Sequence, residues 1–345
     1  MASAHQRIGW IDTLRAAAMF LIVLGHCFRA ETALENWVYA FHVPLFLLIS
    51  GMVFSSEESF GRFVKKRVAT LAIPYFCFAL ISIAIYAVIG DYAEDSVANA
   101  RGATSLLRNL LGMLWGNAKY NALRWNRPMW YLPMFFVMEL AGFWLLRLRK
   151  LWQTAAELAL LIAIAWVTYD IAPRVTLPWD LETVLYLCPL LIVGRLLREA
   201  RPFIENSRPF TRALLGLALL AAGTVLVPLN GRVKYSSDTY GNNYGLFLLI
   251  ALTLAVGMLL LASLCSEGIA PLNYVGRNTV GILVMHKFPI MFFVVLPFTR
   301  AALKIYPNIA SPIIAGLSIG MCMIAIEILR RIAPWSIGIQ NQRLI

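Results

Sequence analysis

The sequence predicts an all-α integral membrane protein, a bundle of about ten transmembrane helices, on three observations. Hydrophobic residues make up 60% and charged residues 14% of the 345-residue chain, and the mean hydropathy of +0.71 lies far above that of a soluble domain. Apolar stretches of spanning length recur from end to end, with no long polar segment between them to form a soluble catalytic domain. The basic residues behind the net charge of +12 gather in short clusters between those stretches. That pattern speaks for anchoring at an anionic leaflet and against a nucleic-acid surface.

Windows of about twenty residues place spans near 11–28, 37–54, 68–89, 129–146, 152–169, 183–197, 214–229, 244–264, 279–298 and 309–329. The chain, 1–345, reads as one transmembrane domain. The first stretch carries Asp12 and Arg15 at its start and His26 near its end, without a clean cleavage site, and so reads as a retained helix rather than a signal peptide. Trp37, Trp130, Trp152 and Trp179 stand near span ends as interfacial belt residues. Span 183–197 is short. In the last span, Gly316, Ser318 and Gly320 spell the G-x-S-x-G of a hydrolase elbow, but that chemistry needs a strand-to-helix turn. Gly316 and Gly320 read instead as a G-x-x-x-G helix contact, and Glu327 as snorkelling or paired with Arg330 or Arg331.

Loop charges set the orientation. With the N-terminus cytoplasmic, the inner side receives Arg62, Lys65, Lys66 and Arg67, then Arg147, Arg149 and Lys150. It also receives Arg195, Arg198, Arg201, Arg208 and Arg212, and finally Arg330, Arg331 and Arg343. The long outer connection 90–128 runs against this trend with Arg101, Arg108, Lys119, Arg124 and Arg127; within it Ser105–Trp115 has helical apolar spacing and is expected to lie flat at the interface. Five scattered cysteines show no metal-type pairing and read as small hydrophobes, so no metal site is expected.

Chemistry points to histidine. His5 belongs to the solvated N-terminal tail, but His26, His42 and His286 fall inside expected spans, where an ionisable group is costly and marks a functional site or a packing bond between helices. Arg15 precedes His26 by eleven positions, which at ~100° per residue is three turns plus about 20°, so both share one helix face about 16 Å apart. Asp12 joins that stripe and is placed to orient Arg15. His42, five residues after Trp37, should approach the depth of His26. A desolvated imidazole stays neutral and can take a proton from a hydroxyl, while Ser50, Trp130, Tyr131 or Asn278 could donate to an oxyanion. A cytosolic acyl-CoA would use both ends of the stripe. Its phosphates would meet Arg15, Lys66, Arg67 and Arg277, and its pantetheine arm would carry the thioester toward the histidines.

The run DTLRAAAMFLIVLGH (Asp12–His26) resembles the first-helix signature of the membrane acyltransferase-3 family, which includes bacterial polysaccharide O-acetyltransferases. FHVPLFLLISGMVF (Phe41–Phe54), KKRVATLAIPYF (Lys65–Phe76), MWYLP (Met129–Pro133) and LNYVGRNTVGILVMH (Leu272–His286) resemble later landmarks in the same order, the last being close to the fucose 4-O-acetylase-like branch. The resemblance covers nearly the whole chain. It implies a multi-pass bacterial inner-membrane O-acetyltransferase that takes acetyl-CoA from the cytoplasm as donor and a cell-surface or lipid-linked glycan as acceptor. Arg15 and His26 stand at the family's essential positions, His26 as base or acyl carrier, with His42 and His286 expected at the acceptor. A departure is the family's glutamate soon after the tryptophan, because here the first acid is Glu139, nine residues past Trp130. Membrane lipids are expected partners; a homo-oligomer or a polysaccharide-assembly partner stays open. Two other classes compete: a transporter or flippase with histidines as proton relays, disfavoured by the absence of an internal repeat, and a scaffold in which the histidines only pack.

Overall fold

Long apolar runs with few interior breakers form helices because a backbone without water must satisfy its own hydrogen bonds. The computed structural model describes residues 8–29, 31–93, 103–119, 122–147, 150–171 and 175–339. His5, Arg101, Arg149 and Arg343 lie outside the described residues.

Helix α1 (Gly9–Cys27) antiparallels α2 (Ala33–Val53), whose N-terminus is capped by Thr32 accepting from the Glu35 amide at 3.0 Å, the reciprocal-cap spacing of Thr and Glu. A loop leads to α3 (Phe60–Arg67), which passes through a π-helical turn, Val68–Ala72, into α4 (Ile73–Ala93). Helix α5 (Ala103–Trp115) falls where the sequence places an interfacial segment, and a 3₁₀ turn at Arg127–Trp130 feeds α6 (Tyr131–Leu145). Helices α7 (Leu151–Ile171), α8 (Leu181–Asn206) and α9 (Pro209–Asn230) precede a small hairpin. Its strands β1 (Val233–Lys234) and β2 (Thr239–Tyr240) pair antiparallel, Val233 opposite Tyr240. Then come α10 (Tyr244–Ala262), α11 (Ala270–Gly276), α12 (Thr279–Met285), α13 (Lys287–Val295), α14 (Pro297–Ile305) and α15 (Pro307–Ile332).

The all-α membrane architecture is as the sequence predicts, but the number of clear spans is smaller. Among the described residues seven helices are long and apolar enough to cross a membrane, or eight if the pair α13 and α14, bent by 97°, is one span. Three expected spans differ for separate reasons. The 129–146 stretch forms a helix of 15 residues, about 22 Å at 1.5 Å per residue and short of the ~30 Å core. Span 183–197 lies inside the 26-residue α8, whose ends carry too much charge. Span 279–298 is not continuous, because the backbone leaves the helical region at Leu296 and bends there into α14.

Small residues let backbones meet where the site needs rigid walls. A Cβ at Gly51 would strike the Leu191 carbonyl and one at Gly194 the Leu48 carbonyl, so α2 and α8 cross backbone to backbone. Gly276 likewise seats α11 on the Asp12 carbonyl of α1. The expected Gly316/Gly320 contact is not made. A Cβ at either would meet open space, because that face of α15 points away from the bundle. Glu327 pairs with Arg330 at 3.5 Å and accepts from the Tyr274 hydroxyl.

Outside the spans, one polar network fixes the ends of α8 and the hairpin. Lys119 reaches Glu182 at 3.0 Å and also Asp238, which accepts from Thr183. Burial opposes the Lys119 charge, but its bonds to Asp238 and Glu182 prevail and raise its pKa. Asp180 has no such partner; burial, reinforced by the charges of Glu182 and Asp238, pushes its pKa up to about 9.

Candidate active site

The α1 stripe organises the site. Arg15, Met19, Ile22 and His26 follow at helical spacing along one face, with Met19 and Ile22 buried and one polar group at each end.

At the His26 end, α1 and the junction between α12 and α13 bring two imidazoles together. The His26 and His286 ring centroids lie 5.3 Å apart, tilted by 32°. His286 Nδ1 is 3.1 Å from the Ile282 carbonyl, and its Nε2 is buried without a hydrogen-bond partner. Since a carbonyl only accepts, Nδ1 carries the proton and Nε2 keeps a free lone pair. His42 is built the same way, with Nδ1 2.9 Å from the Val38 carbonyl. Its ring meets the edges of Tyr39 at 4.9 Å and Tyr235 at 5.3 Å. Tyr235 is itself held by a 2.8 Å bond from its hydroxyl to the Tyr39 carbonyl.

These groups surround a cavity of about 440 Å³, lined among others by His26, His42, Tyr39, Trp130, Tyr131 and Tyr235. The Tyr131 hydroxyl is buried and makes no hydrogen bond in the protein. Above the histidines the wall is basic: Arg108, Arg124, Arg127, Arg232, Lys234 and Lys287 line it, and Glu35 is the one acid among the lining residues.

At the Arg15 end, the Asp12 carboxylate is shared between two cations, Arg15 at 3.0 Å and Arg277 at 2.9 Å. Thr13 of the same turn donates to Asn273 at 2.7 Å and accepts from the Ile269 amide at 2.8 Å, locking α11 to α1. Nearby Arg67 forms an ion pair with buried Glu139 at 2.8 Å, off the ideal hydrogen-bonding line, and the Arg15 charge also acts on Glu139. Lys66 stands apart, half exposed, 3.8 Å from Glu58.

Between the two ends runs a narrow apolar crevice of about 30 Å³, lined by Met19, Ile22, Phe46, Leu71, Tyr131 and Leu283, among others. Ile22, Tyr131 and Leu283 also line the large cavity, so the crevice continues it toward Arg15. Leu71 belongs to the π turn, a helix irregularity frequent at functional sites.

The structure thus gathers His26, His42, Trp130 and Tyr131 around one cavity, sets His286 behind His26, and collects Asp12, Arg15, Arg67 and Arg277 at the far end. Ser50 and Asn278 do not join the cavity. The Ser50 hydroxyl bonds back to the Phe46 carbonyl at 2.9 Å, and Asn278 accepts from Arg330 at 2.8 Å while donating to the Tyr274 carbonyl at 2.7 Å. Both sit toward the Arg15 end, because a helix rises about 1.5 Å per residue and Asn278 begins the two turns that end at His286. Sequence reasoning missed Tyr39, Tyr235, the hairpin cations and the Glu139–Arg67 pair. The only signal for the cations was the excess of basic residues on the side where they are normally scarce. Among the described residues no cluster of three or more His, Cys, Asp or Glu side chains is placed to hold a metal ion.

A family model described as an acyltransferase domain matches residues 8–329. No curated protein and no solved structure matches the chain.

Proposed function

Since this chain belongs to the acyltransferase-3 family, whose members are multi-pass membrane acyltransferases, we propose that it moves an acetyl group from cytoplasmic acetyl-CoA to a hydroxyl of a cell-surface or lipid-linked glycan at a bacterial inner membrane. One observation supports this reading: a histidine-lined cavity lies at one end of an α1 face, an apolar crevice shares three of its wall residues and follows that face, and Arg15 and Arg277 pair with Asp12 at the other end of the helix.

Each part has a task. The Arg15 end faces the cytoplasm by its loop charges, and Arg15 and Arg277, with Arg67 nearby, meet the donor's phosphates, while the half-exposed Lys66 stands apart at the surface. Asp12 holds the two arginines in register. The crevice takes the pantetheine arm. At 30 Å³ it is too tight for that arm as it stands, so donor binding moves α6 and the π turn away from α1. The thioester then reaches His26, and the glycan hydroxyl approaches from the cavity.

His26 takes the hydroxyl proton as the oxygen attacks the thioester carbonyl. The Tyr131 hydroxyl, unpartnered and in the wall of both spaces, donates to the developing oxyanion. Collapse breaks the carbon–sulfur bond, and the thiolate leaves with the proton held by His26, giving free coenzyme A and an acetyl ester. His286 braces His26 from behind.

The test is transfer of labelled acetyl from acetyl-CoA to a crude glycan fraction by purified protein, comparing wild type with His26→Ala and Arg15→Ala. Label in glycan only with wild type, while both variants stay folded, supports the reading. If wild type neither binds acetyl-CoA nor transfers label, the reading fails, and uptake in sealed vesicles becomes the assay for a transporter.

A further inference from the structure

We propose that the acceptor of this reaction is anionic, with a phosphate or carboxylate group held by the cationic wall of the cavity while a neighbouring hydroxyl reaches His26. The inference rests on the acyltransferase reading and names the substrate class for its cavity.

Three observations carry it. First, cations from four separate segments converge on one space: Arg108 from α5, Arg124 from the loop before α6, Lys234 from the hairpin and Lys287 from the start of α13 among them. Gathering like charges around a cavity is unfavourable unless something of opposite charge enters. Second, the cations on this side differ in how they are neutralised. Lys119, in the same connection but outside the cavity lining, is tied to Glu182 and Asp238, and of the lining cations Arg232 is paired with Glu31 and Glu35. Arg108, Arg124 and Lys234, in contrast, form no ion pair among the described residues. Third, Arg124 is set to bind. Its Nε donates to Asn109 at 3.1 Å, which fixes the guanidinium plane, while its Nη2 is buried without a hydrogen-bond partner. A buried donor left open in this way is costly, and an oxyanion would satisfy it.

Anchoring at an anionic inner leaflet does not account for these cations, because they lie at the His26 end, opposite the Arg15 end assigned to the cytoplasm. A guanidinium fork accepts carboxylate and phosphate alike. The anion therefore comes either from an acidic sugar of the glycan or from the phosphate that joins a sugar to its lipid carrier.

The experiment compares acetyl transfer to trigalacturonic acid, its fully methyl-esterified form and a polyprenyl-phosphate-linked sugar, using full-length protein in nanodiscs of neutral lipid. The expected result is a KM at least about tenfold lower for one of the anionic acceptors than for the ester, rising with salt. Which one responds separates the two sources. Arg108→Gln combined with Arg124→Gln should raise the anionic acceptor's KM about tenfold, leave the ester's KM within about twofold, and leave the KM for acetyl-CoA unchanged. Equal KM values for acid and ester would overturn the proposal, as would a rise confined to the KM for acetyl-CoA, which would make the wall a donor-phosphate site. So would loss of the effect when anionic phospholipid is added at equal charge, since the wall would then bind lipid headgroups. Equilibrium binding of acid and ester without donor separates the two failures. If acid binds preferentially and no acceptor is acetylated, the acyltransferase reading falls while the anion site stands.

Discussion

His26 and His286 face each other at 5.3 Å between ring centroids, although they come from the first helix and from near the chain's end. His286 lies in α conformation at the boundary between α12 and α13, both of which pack against α1. With its Nδ1 bonded to the Ile282 carbonyl, His286 keeps the Nε2 lone pair free while its ring lies against that of His26.

If His286 positions His26, His286→Phe should lower kcat about 10- to 100-fold, less than the ~10²- to 10⁴-fold expected for loss of the general base itself, and change the pH profile of kcat without altering the KM for acetyl-CoA. A purely packing role predicts an unchanged pH profile. The two histidines can be separated by a double-mutant cycle: His286→Phe should cost little further activity in a His26→Ala background.

Tyr131→Phe removes only the unpartnered hydroxyl and keeps the ring that stacks on Phe135 at 5.3 Å. Loss of one oxyanion donor costs about 10²- to 10³-fold in kcat. Little change in kcat would remove Tyr131 from the reaction and leave it as a wall residue.

The paired cations predict a donor effect. Asp12→Asn should loosen both Arg15 and Arg277 and raise the KM for acetyl-CoA with a smaller change in kcat, a loss of ground-state binding. Glu139→Ala should act on stability instead, because it leaves the part-buried Arg67 without its partner; breaking a fully buried pair costs about 3–5 kcal/mol, and the partial exposure of Arg67 makes the loss smaller. Thermal unfolding in detergent distinguishes the two, and a wild-type melting temperature for Glu139→Ala would show that the pair is not structural.

Asp180 predicts a pH dependence of stability. Its folded pKa of about 9 lies above the ordinary 3.8, so the folded state keeps a proton that the unfolded state releases. Its stabilising contribution is complete below the ordinary value and declines as pH rises toward 9, by at most about 1.4 kcal/mol per pH unit. Asp238, raised by burial against the pull of Lys119 and Thr183, acts in the same direction. Between pH 5 and 8.5 wild type should therefore lose more stability than Asp180→Asn. Parallel melting curves across that range would count against a proton held at Asp180.

The sequence by itself determined the solvent of this protein and the stripe that runs through its site. Hydropathy is a local sum, so spanning helices can be read without knowing their neighbours, and helical period alone aligns Arg15, Met19, Ile22 and His26. The resemblance added the reaction class. What only the tertiary structure decided was which polar groups meet across helices: His286 behind His26, Arg277 on Asp12, Glu139 on Arg67, and cations from four segments around one cavity. It also moved Ser50 and Asn278 out of the cavity and broke the expected 279–298 span at Leu296. These outcomes depend on crossing points such as Gly51 against α8 and Gly276 against α1. Such contacts join residues far apart in the chain, and no periodicity within one helix encodes its depth and rotation relative to another.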